Sequence, residues 1–558
     1  MARNLHARYR ITGTLTATTP IHVGGYGDSP DTDMPLARNG AGALYVPGTS
    51  LAGVLRSWCQ QAFGKDATEL LWGFQGRPSD VTPTLQHKRA AEPLWSSQPH
   101  NRTGQSSFIW LEDALVQMPE GAPVEIRDGV GLDRVWGTAA SGIKYDRAIL
   151  PRGTILPLEM TVEIAGRYAT TETSRCETPE AFPARVQRTE AILGHLLSAL
   201  QHGDIPLGAA RTRGLGRVTC TVKRVLRQQL DSREGILAVL QGQGRTVSSK
   251  VLRKAAPATR PKPQPRLTLT IRWRPRGALM VQAGYNGVGV DILPLVSATA
   301  QGVALVLPGS SIKGALRSQA ERIVRTVRGH QAWAQSEGRQ RFLTQMEELP
   351  LISALFGSRA QAREDQPEPP PGPQLGLGAL AVEDCYACDI MPSQAWRDLA
   401  AAPAPAEQSY AQQELHKVLN TLQRFSVAHH VAIDRWTGGA AHGMLFSVLA
   451  PENLAWHDMR LHLDLGRLLP SDHLPGLMLL LLTVRDLLQH RLPLGFATNR
   501  GMGEVEVLAC QFAGTDLEAV DLAGLADIEV TDASFQALDA GLRASLTQAW
   551  QEWMTREG

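Results

Sequence analysis

The sequence predicts an α+β chain of two tandem ferredoxin-like (RRM-like) domains with insertions, and three observations predict it. At 558 residues the chain exceeds what one ordinary hydrophobic core supports. Five short motifs occur twice, in the same order, in its two halves. Within each half the coarse order is strand, Gly-rich loop, helix, strands, helix, Gly-rich loop, strand, which is the βαββαβ pattern with additions.

Each half opens on a strand and a Gly-rich loop, ITGTLTATTPIHVGGYGDSPDTDMPL and then LTLTIRWRPRGALMVQAGYNGVGVDILPL. Next comes VPGTSLAGVLRS at 46–57, matched by LPGSSIKGALRS at 307–318. WLEDAL at 110–115 then matches AVEDCY at 381–386, and GLDRVWGTAASG at 131–142 matches AIDRWTGGAAHG at 432–443. Last, IPLGAARTRGLGRVTCTV at 205–222 matches LPLGFATNRGMGEVEVLA at 492–509, each preceded by a helix-like stretch. Five motifs in register mark a duplication, with the first domain at 1–244 and the second at 267–515.

Between the copies, 245–266 carries seven basic residues, no acidic ones and four prolines, the composition of an exposed linker. REDQPEPPPGPQ at 363–374 reads as a structureless loop within the second copy. From 516 to 558 the chain turns acidic, and Phe535, Leu538, Leu542, Leu546 and Trp550 recur at helical spacing. This C-terminal helical tail is expected to pack on its own domain rather than on a partner.

Hydrophobic content of 43% and charged content of 20% are those of a soluble globular chain, and a net charge of +2 means that any basic surface is local. Six cysteines (Cys59, Cys176, Cys220, Cys385, Cys388 and Cys510) are too few and scattered for a disulfide framework. MARNLHARYRITG holds no apolar signal core, and GLMLLLLTV at 476–484 is too short to cross a bilayer. A cytoplasmic setting with no membrane partner is the expectation.

The Pro-Gly-hydroxyl starts, Thr49 and Ser50 in one copy and Ser310 and Ser311 in the other, predict capped helices. Lys313 and Arg317 stand four residues apart near the positive end of their helix, which their repulsion and the helix dipole oppose unless an anion is bound. Hydroxyls, backbone amides and cations there would form a phosphate site. Arg56 matches Arg317, while Ala52 replaces Lys313. The alternative is a plain helix whose Arg317 pairs with Glu321. The closing loops, with Arg213, Gly214 and Gly216 and then Arg500, Gly501 and Gly503, offer a second cradle for a phosphodiester chain. Both places point to a polyanion lying across each domain.

The G-[ST]-S-[LI]-x-G-x-[LI]-R sentence, the Gly-rich loop before it and the closing R-G-x-G-x-V resemble those of the RAMP superfamily of CRISPR-associated proteins. Each copy is most similar to the backbone subunit of type III effector complexes, which polymerises along guide RNA. The resemblance spans about residues 8–225 and 266–510, and tandem fusions of this subunit occur in subtypes III-D and III-E.

The resemblance implies an RNA-guided endoribonuclease of antiviral defence. In the family an aspartate in the loop before the helix cleaves target RNA, and it falls here on Asp33 in DTDMPLARN and on Asp291 in VDILPLVS. A proline follows after two residues in the first (Pro35) and three in the second (Pro294), which leaves the second loop one residue out of step. Asp28 and Asp31 are alternatives in the first loop. Either aspartate would also be the ligand for Mg²⁺ or another divalent cation; the alternative role is an Asx-type turn. The two loops share no histidine, which argues against a histidine base. Asp133, Arg134 and Trp136 match Asp434, Arg435 and Trp436, where the family carries a hairpin thumb that flips bases. Arginine beside an aromatic suits phosphate contact and base stacking; the alternative is a core tryptophan.

Cys385 and Cys388 have zinc-ligand spacing, but His416, His429, His430 and His442 complete a set only by distance in sequence, so zinc is not expected. The implied partners are guide RNA, target RNA, other RAMP subunits and a small helical subunit. Two other readings stay open: a structural RNA-binding subunit that does not cut, and the guide-processing endoribonuclease branch.

Overall fold

The computed structural model describes residues 5–25, 29–30, 32–75, 104–165, 181–284, 287, 290–358, 376–401 and 424–555. Asp28, Asp31, Cys176, His416 and the 363–374 stretch lie outside the described residues.

Alternate residues of the strand Leu5–Ala17 are buried from Ala7 through Tyr9, Ile11 and Leu15 to Ala17, so one face makes core. Leu267, Leu269, Ile271 and Trp273 do the same in Arg266–Pro275. Both strands bulge at matching places, Thr12/Gly13 and Arg272/Trp273. The first sheet runs Arg245–Thr246, Val218–Gln229, Leu5–Ala17, Ile155–Ala165, Ile109–Leu111, all antiparallel. The second runs Arg213–Gly214, Leu380–Glu383, Met459–Asp464, Arg266–Pro275, Val505–Thr515, Ile528–Val530. In both, the first strand of the βαββαβ unit lies between the third and the fourth, with the second at the edge: the ferredoxin-like order. Two long helices complete each repeat, Gly48–Phe63 and Ala181–His202 in the first, Gly309–Arg328 and His473–Leu488 in the second. Each repeat has its own apolar core.

The GLMLLLLTV run lies inside His473–Leu488, with Leu477, Leu479, Leu480 and Leu481 buried in that core. Among the described residues no helix is long and apolar enough to cross a membrane. The tail helix Ala540–Thr555 buries Leu546, Trp550 and Trp553; Arg328, ending the helix Gly309–Arg328, lies over the Trp553 ring at 3.9 Å.

The 245–266 stretch differs from an open linker. Arg245–Thr246 extends the first sheet, and the short helix Ser249–Arg253 packs Leu252 against Gly194 of Ala181–His202. The Lys262 amide donates to the Ala62 carbonyl at 2.6 Å and the Gln264 amide to the Asp516 carboxylate at 2.7 Å. The Ser249 hydroxyl adds a bond to Gln201 Oε1 at 3.1 Å.

The two repeats share a polar seam. Arg213–Gly214 of the first pairs in parallel with the edge strand Leu380–Glu383 of the second. Gly214 has φ +91°, and a Cβ there would overlap the Asp384 carboxylate, so only glycine fits. A hairpin of the first repeat, Glu125–Gly129 with Tyr145–Ile149, leans on the second: Arg127 pairs with Asp384, and Glu125 accepts from the Ser297 hydroxyl and the Ala298 amide, both at 2.8 Å. At the tip, Arg341 donates to Asp133 at 2.6 Å and Arg134 pairs with Glu321, which also holds Arg317 at 2.7 Å. Lower on the seam, Glu383 accepts from Arg217 and from His462 Nε2, each at 2.6 Å.

Two outcomes follow. Glu321→Ala strands two guanidiniums in a largely buried place and should cost about 3–5 kcal/mol in urea unfolding. Acid should loosen the seam. Burial lowers His462 below its ordinary 6.5; for Glu383 burial acts upward, but the His462 hydrogen bond and the Arg217 charge outweigh it and hold Glu383 below its ordinary 4.5. The unfolded chain therefore takes up more protons, so stability falls as pH drops through 6.5 and again below 4.5. Melting temperature against pH checks this; His462→Asn should lessen the first loss, to which His22 and His195, also lowered by burial, contribute the remainder.

Candidate nucleic-acid interface

The helices that open on the repeated sentence are not capped by their hydroxyls. Pro47 and Pro308 occupy the N-cap positions, with Thr49, Ser50, Ser310 and Ser311 inside the first turn. The cap comes from the ED motif of the same repeat: the Gly48 amide donates to Asp113 Oδ1 at 2.7 Å, and the Gly309 amide to Asp384 Oδ1 at 2.8 Å. A Cβ at Gly48 or Gly309 would overlap the carbonyl of Leu111 or Val382, so the glycine permits the strand to pass close enough to cap. Two motifs that look independent in the sequence are halves of one junction. Only their fixed order hinted at it.

Lys313 and Arg317 therefore leave the phosphate site. Lys313 is 4% exposed, donates to the Leu380 carbonyl at 2.6 Å, and is held well below its ordinary pKa by burial and then by Arg213 and Arg317. Arg317, 7% exposed, donates to Glu321, to the Gly357 carbonyl at 2.7 Å and to the Met346 carbonyl. The plain-helix alternative holds here, because the first repeat covers this end of the helix. Arg56 does the matching task, reaching the Gly73 carbonyl at 3.2 Å while staying exposed. Arg134 is spent in the seam.

The closing loops also use their backbone inwardly. Gly216 and Gly503 donate to the Pro20 and Ala278 carbonyls and accept from the Leu207 and Leu494 amides, so they are not a free nest of amides. Gly214 lies in the seam, whereas Gly501, at φ +83°, has open space where a Cβ would stand. At the hairpin tips Asp133 and Asp434 accept from the amides two and three residues on, which are Asx turns. Trp136 is 67% and Trp436 96% exposed, neither a core tryptophan.

In each repeat one returning hairpin strand carries a residue bonded to the loop aspartate and, next to it in sequence, an aromatic residue whose side chain an arginine of the closing loop approaches. Asp33 and Asp146 exchange bonds, amide to carboxylate, at 2.8 and 3.0 Å. Asp291 Oδ2 accepts from the Ser447 amide at 2.7 Å and hydroxyl at 2.8 Å, while its own amide donates to that hydroxyl. The next residues bridge in parallel in both, Met34 with Arg147 and Ile292 with Val448. Asp33 and Asp291 are therefore equivalent, and the one-residue shift belongs to the proline. Beside them on the returning hairpin strand stand Tyr145 and Phe446. Arg213 donates to the Tyr145 hydroxyl at 3.1 Å; Arg500 lies 5.7 Å from the Phe446 ring centroid. Arg147 also lies over Tyr145, and its pKa is lowered by burial and by Arg213. Two guanidiniums so placed favour an anion between them.

Sequence reading missed Tyr145, Arg147 and Phe446, since Tyr against Phe and Arg against Val break the repeat that made the other motifs visible. Asp33 and Asp291 are exposed. The Ser447 amide and hydroxyl hold the Asp291 carboxyl below the ordinary range, outweighing burial, with a smaller contribution from His429. Among the described residues no three His, Cys, Asp or Glu side chains converge as a metal site. Cys385 is buried on a strand with its thiol donating to the His457 carbonyl, and Cys388 is exposed.

A search of curated proteins finds no sequence match. A family model described as the RAMP superfamily matches residues 14–219 and 298–506, about three quarters of the chain and one stretch in each repeat. The chain belongs to the RAMP superfamily.

Proposed function

We propose that this chain is a two-repeat backbone subunit of a type III CRISPR effector complex, binding guide RNA over both repeats and cutting complementary target RNA at Asp33 and Asp291. The duplicated carboxylate–aromatic–arginine constellation is the observation that carries this reading. Arg213 and Arg500 are exposed guanidiniums, suited to phosphate oxygens of a strand crossing the repeats. Tyr145 and Phe446 offer rings against which a splayed base stacks. RNA brings its own nucleophile, the 2′-hydroxyl, so the chain has only to hold that oxygen in line with the adjacent phosphorus.

Asp291, kept ionised by Ser447, is a weak base and a good fixed negative charge. Exposed carboxylates fit a hydrated Mg²⁺, which takes one or two of them together with substrate phosphates; Asp33 with Asp146 in one repeat and Asp291 in the other would hold it. Bound there, the cation would supply neutralisation of phosphate charge. The chain would act within a complex of guide RNA, other RAMP subunits and a small helical subunit.

A second reading has its own support. Asp33 and Asp291 each staple the Gly-rich loop to the hairpin, a sufficient task for a subunit that binds without cutting. Asn retains the acceptor oxygen and removes the charge, which separates the two. In the reconstituted complex, Asp33→Asn and Asp291→Asn should each erase one target fragment and leave guide binding intact. An unchanged fragment ladder in the double variant supports the non-cutting reading instead. For binding, Arg213→Ala and Arg500→Ala should each lower the slope of log affinity against log salt by about one, while Lys313→Met leaves it unchanged.

A further inference from the structure

Beside the Glu383 ion pairs the seam opens into a cleft of about 420 Å³ that both repeats line. Its floor is the face of the second sheet turned away from the core. Ala381, His462, Thr268 and Ala513 stand directly across from one another on four neighbouring strands, and the residue before each (Leu380, Leu461, Leu267, Phe512) is buried in the core. Two of the four floor residues are alanines, which leaves the hollow. The first repeat supplies one face of the helix Gly48–Phe63, where Val54, Trp58 and Gln61 follow at helical spacing. The volume lies in the range of roughly 300–1,000 Å³ that small-molecule sites occupy. Asp33, Asp291, Arg213 and Arg500 do not line this cleft, so its occupant is separate from the strand assigned to them.

Charge sets the cleft apart. Arg211, Arg217, Arg266 and Arg467 line it, with Asp204 and Asp464. Arg217 is taken by Glu383 at 2.6 Å and Arg467 by Asp464 Oδ2 at 3.3 Å. Arg211 and Arg266, both half-buried, have no side-chain partner among the described residues, although Arg266 stands across the ladder from Asp464. Burial and then the Arg467 charge weigh against the cation of Arg211. Asp204 is exposed and offsets the pair little. Asp464 Oδ1 is buried and accepts no hydrogen bond among the described residues. Half-buried guanidiniums without a counter-ion and a buried acceptor without a donor are costly together unless a ligand brings both. An anion answers the arginines and a hydroxyl or amine answers the aspartate. Trp58, with Val54, Ile205 and Pro206 beside it, suits a flat ring. Phosphate, sugar hydroxyl and base combine in one small molecule, a nucleoside monophosphate.

We propose that the cleft between the repeats is a binding site for a nucleoside monophosphate, with its phosphate on Arg211 and Arg266, its ring along Trp58 and a hydroxyl or amino group on Asp464. Because both repeats line the site, only the docked arrangement binds, and occupancy stabilises the seam by mass action.

The test is calorimetric titration and thermal unfolding of the full chain purified without RNA, using 5′-AMP, 5′-GMP, 5′-CMP and 5′-UMP, with adenosine and inorganic phosphate as part-ligands. At least one nucleotide should bind saturably at one site per chain and raise the melting temperature, and each part-ligand should bind at least about tenfold more weakly. Arg211→Met should weaken the nucleotide at least about tenfold. Ala513→Leu fills the floor, leaves every charge in place and should abolish binding; if either variant fails to fold, the other decides. No saturable binding by any of the four nucleotides overturns the proposal, as does binding that survives the substitutions. Phosphate alone matching the nucleotide overturns it in favour of a simple anion site, and single-stranded RNA displacing the nucleotide with the same dependence on Arg211 overturns it in favour of a strand contact. None of these outcomes bears on the target-fragment ladder, which tests the function proposed above.

Discussion

The structure turns on one carboxylate. Asp384 Oδ1 accepts the amide that starts the helix Gly309–Arg328, its Oδ2 holds Arg127 of the other repeat, and Gly214 packs against it. Helix direction, hairpin placement and the docking of the closing loop are therefore fixed by a single buried group with every oxygen partnered. Such a group is costly to strip of any one partner, because the charge stays behind in a low-dielectric place. The repeated sentence is written twice for this reason: Pro ends the strand, Gly admits the neighbouring strand, and the helix then starts on an aspartate supplied from about 65 to 75 residues away.

The fold was largely legible. Paired motif order and the run of strand, helix, strands, helix and strand in each half lead straight to two ferredoxin-like sheets. The site was legible in part. Arg213 and Arg500 were visible as members of repeated loops, Asp33 and Asp291 through the family resemblance, and the tryptophans only as either stacking or core aromatics. Lys313 and Arg317 misled because two cations on one helix face look like an anion site until something is known to cover them. Burial at a seam between repeats leaves no trace in spacing. Tyr145 and Phe446 stayed hidden for the opposite reason: they share a position and an aromatic ring but not a letter.

The duplicated sites have diverged in charge. The first adds Asp146 and Arg147 to its aspartate, whereas the second has Ser447 and Val448 in their places and His429 nearby. The first is thus the more highly charged and lies beside the seam, and the second is plainer and open. Two copies of one scaffold need not work at the same rate or grip with the same strength.

The strapped segment between the repeats has a consequence for the seam itself. With Lys262 tied to Ala62 and Gln264 to Asp516, the two halves meet at a local concentration far above any that separate molecules reach in solution. Contacts between them are relieved of the task of recruiting a partner. Their ion pairs are free to specialise in angle and register, which is what a strand laid across both halves would feel.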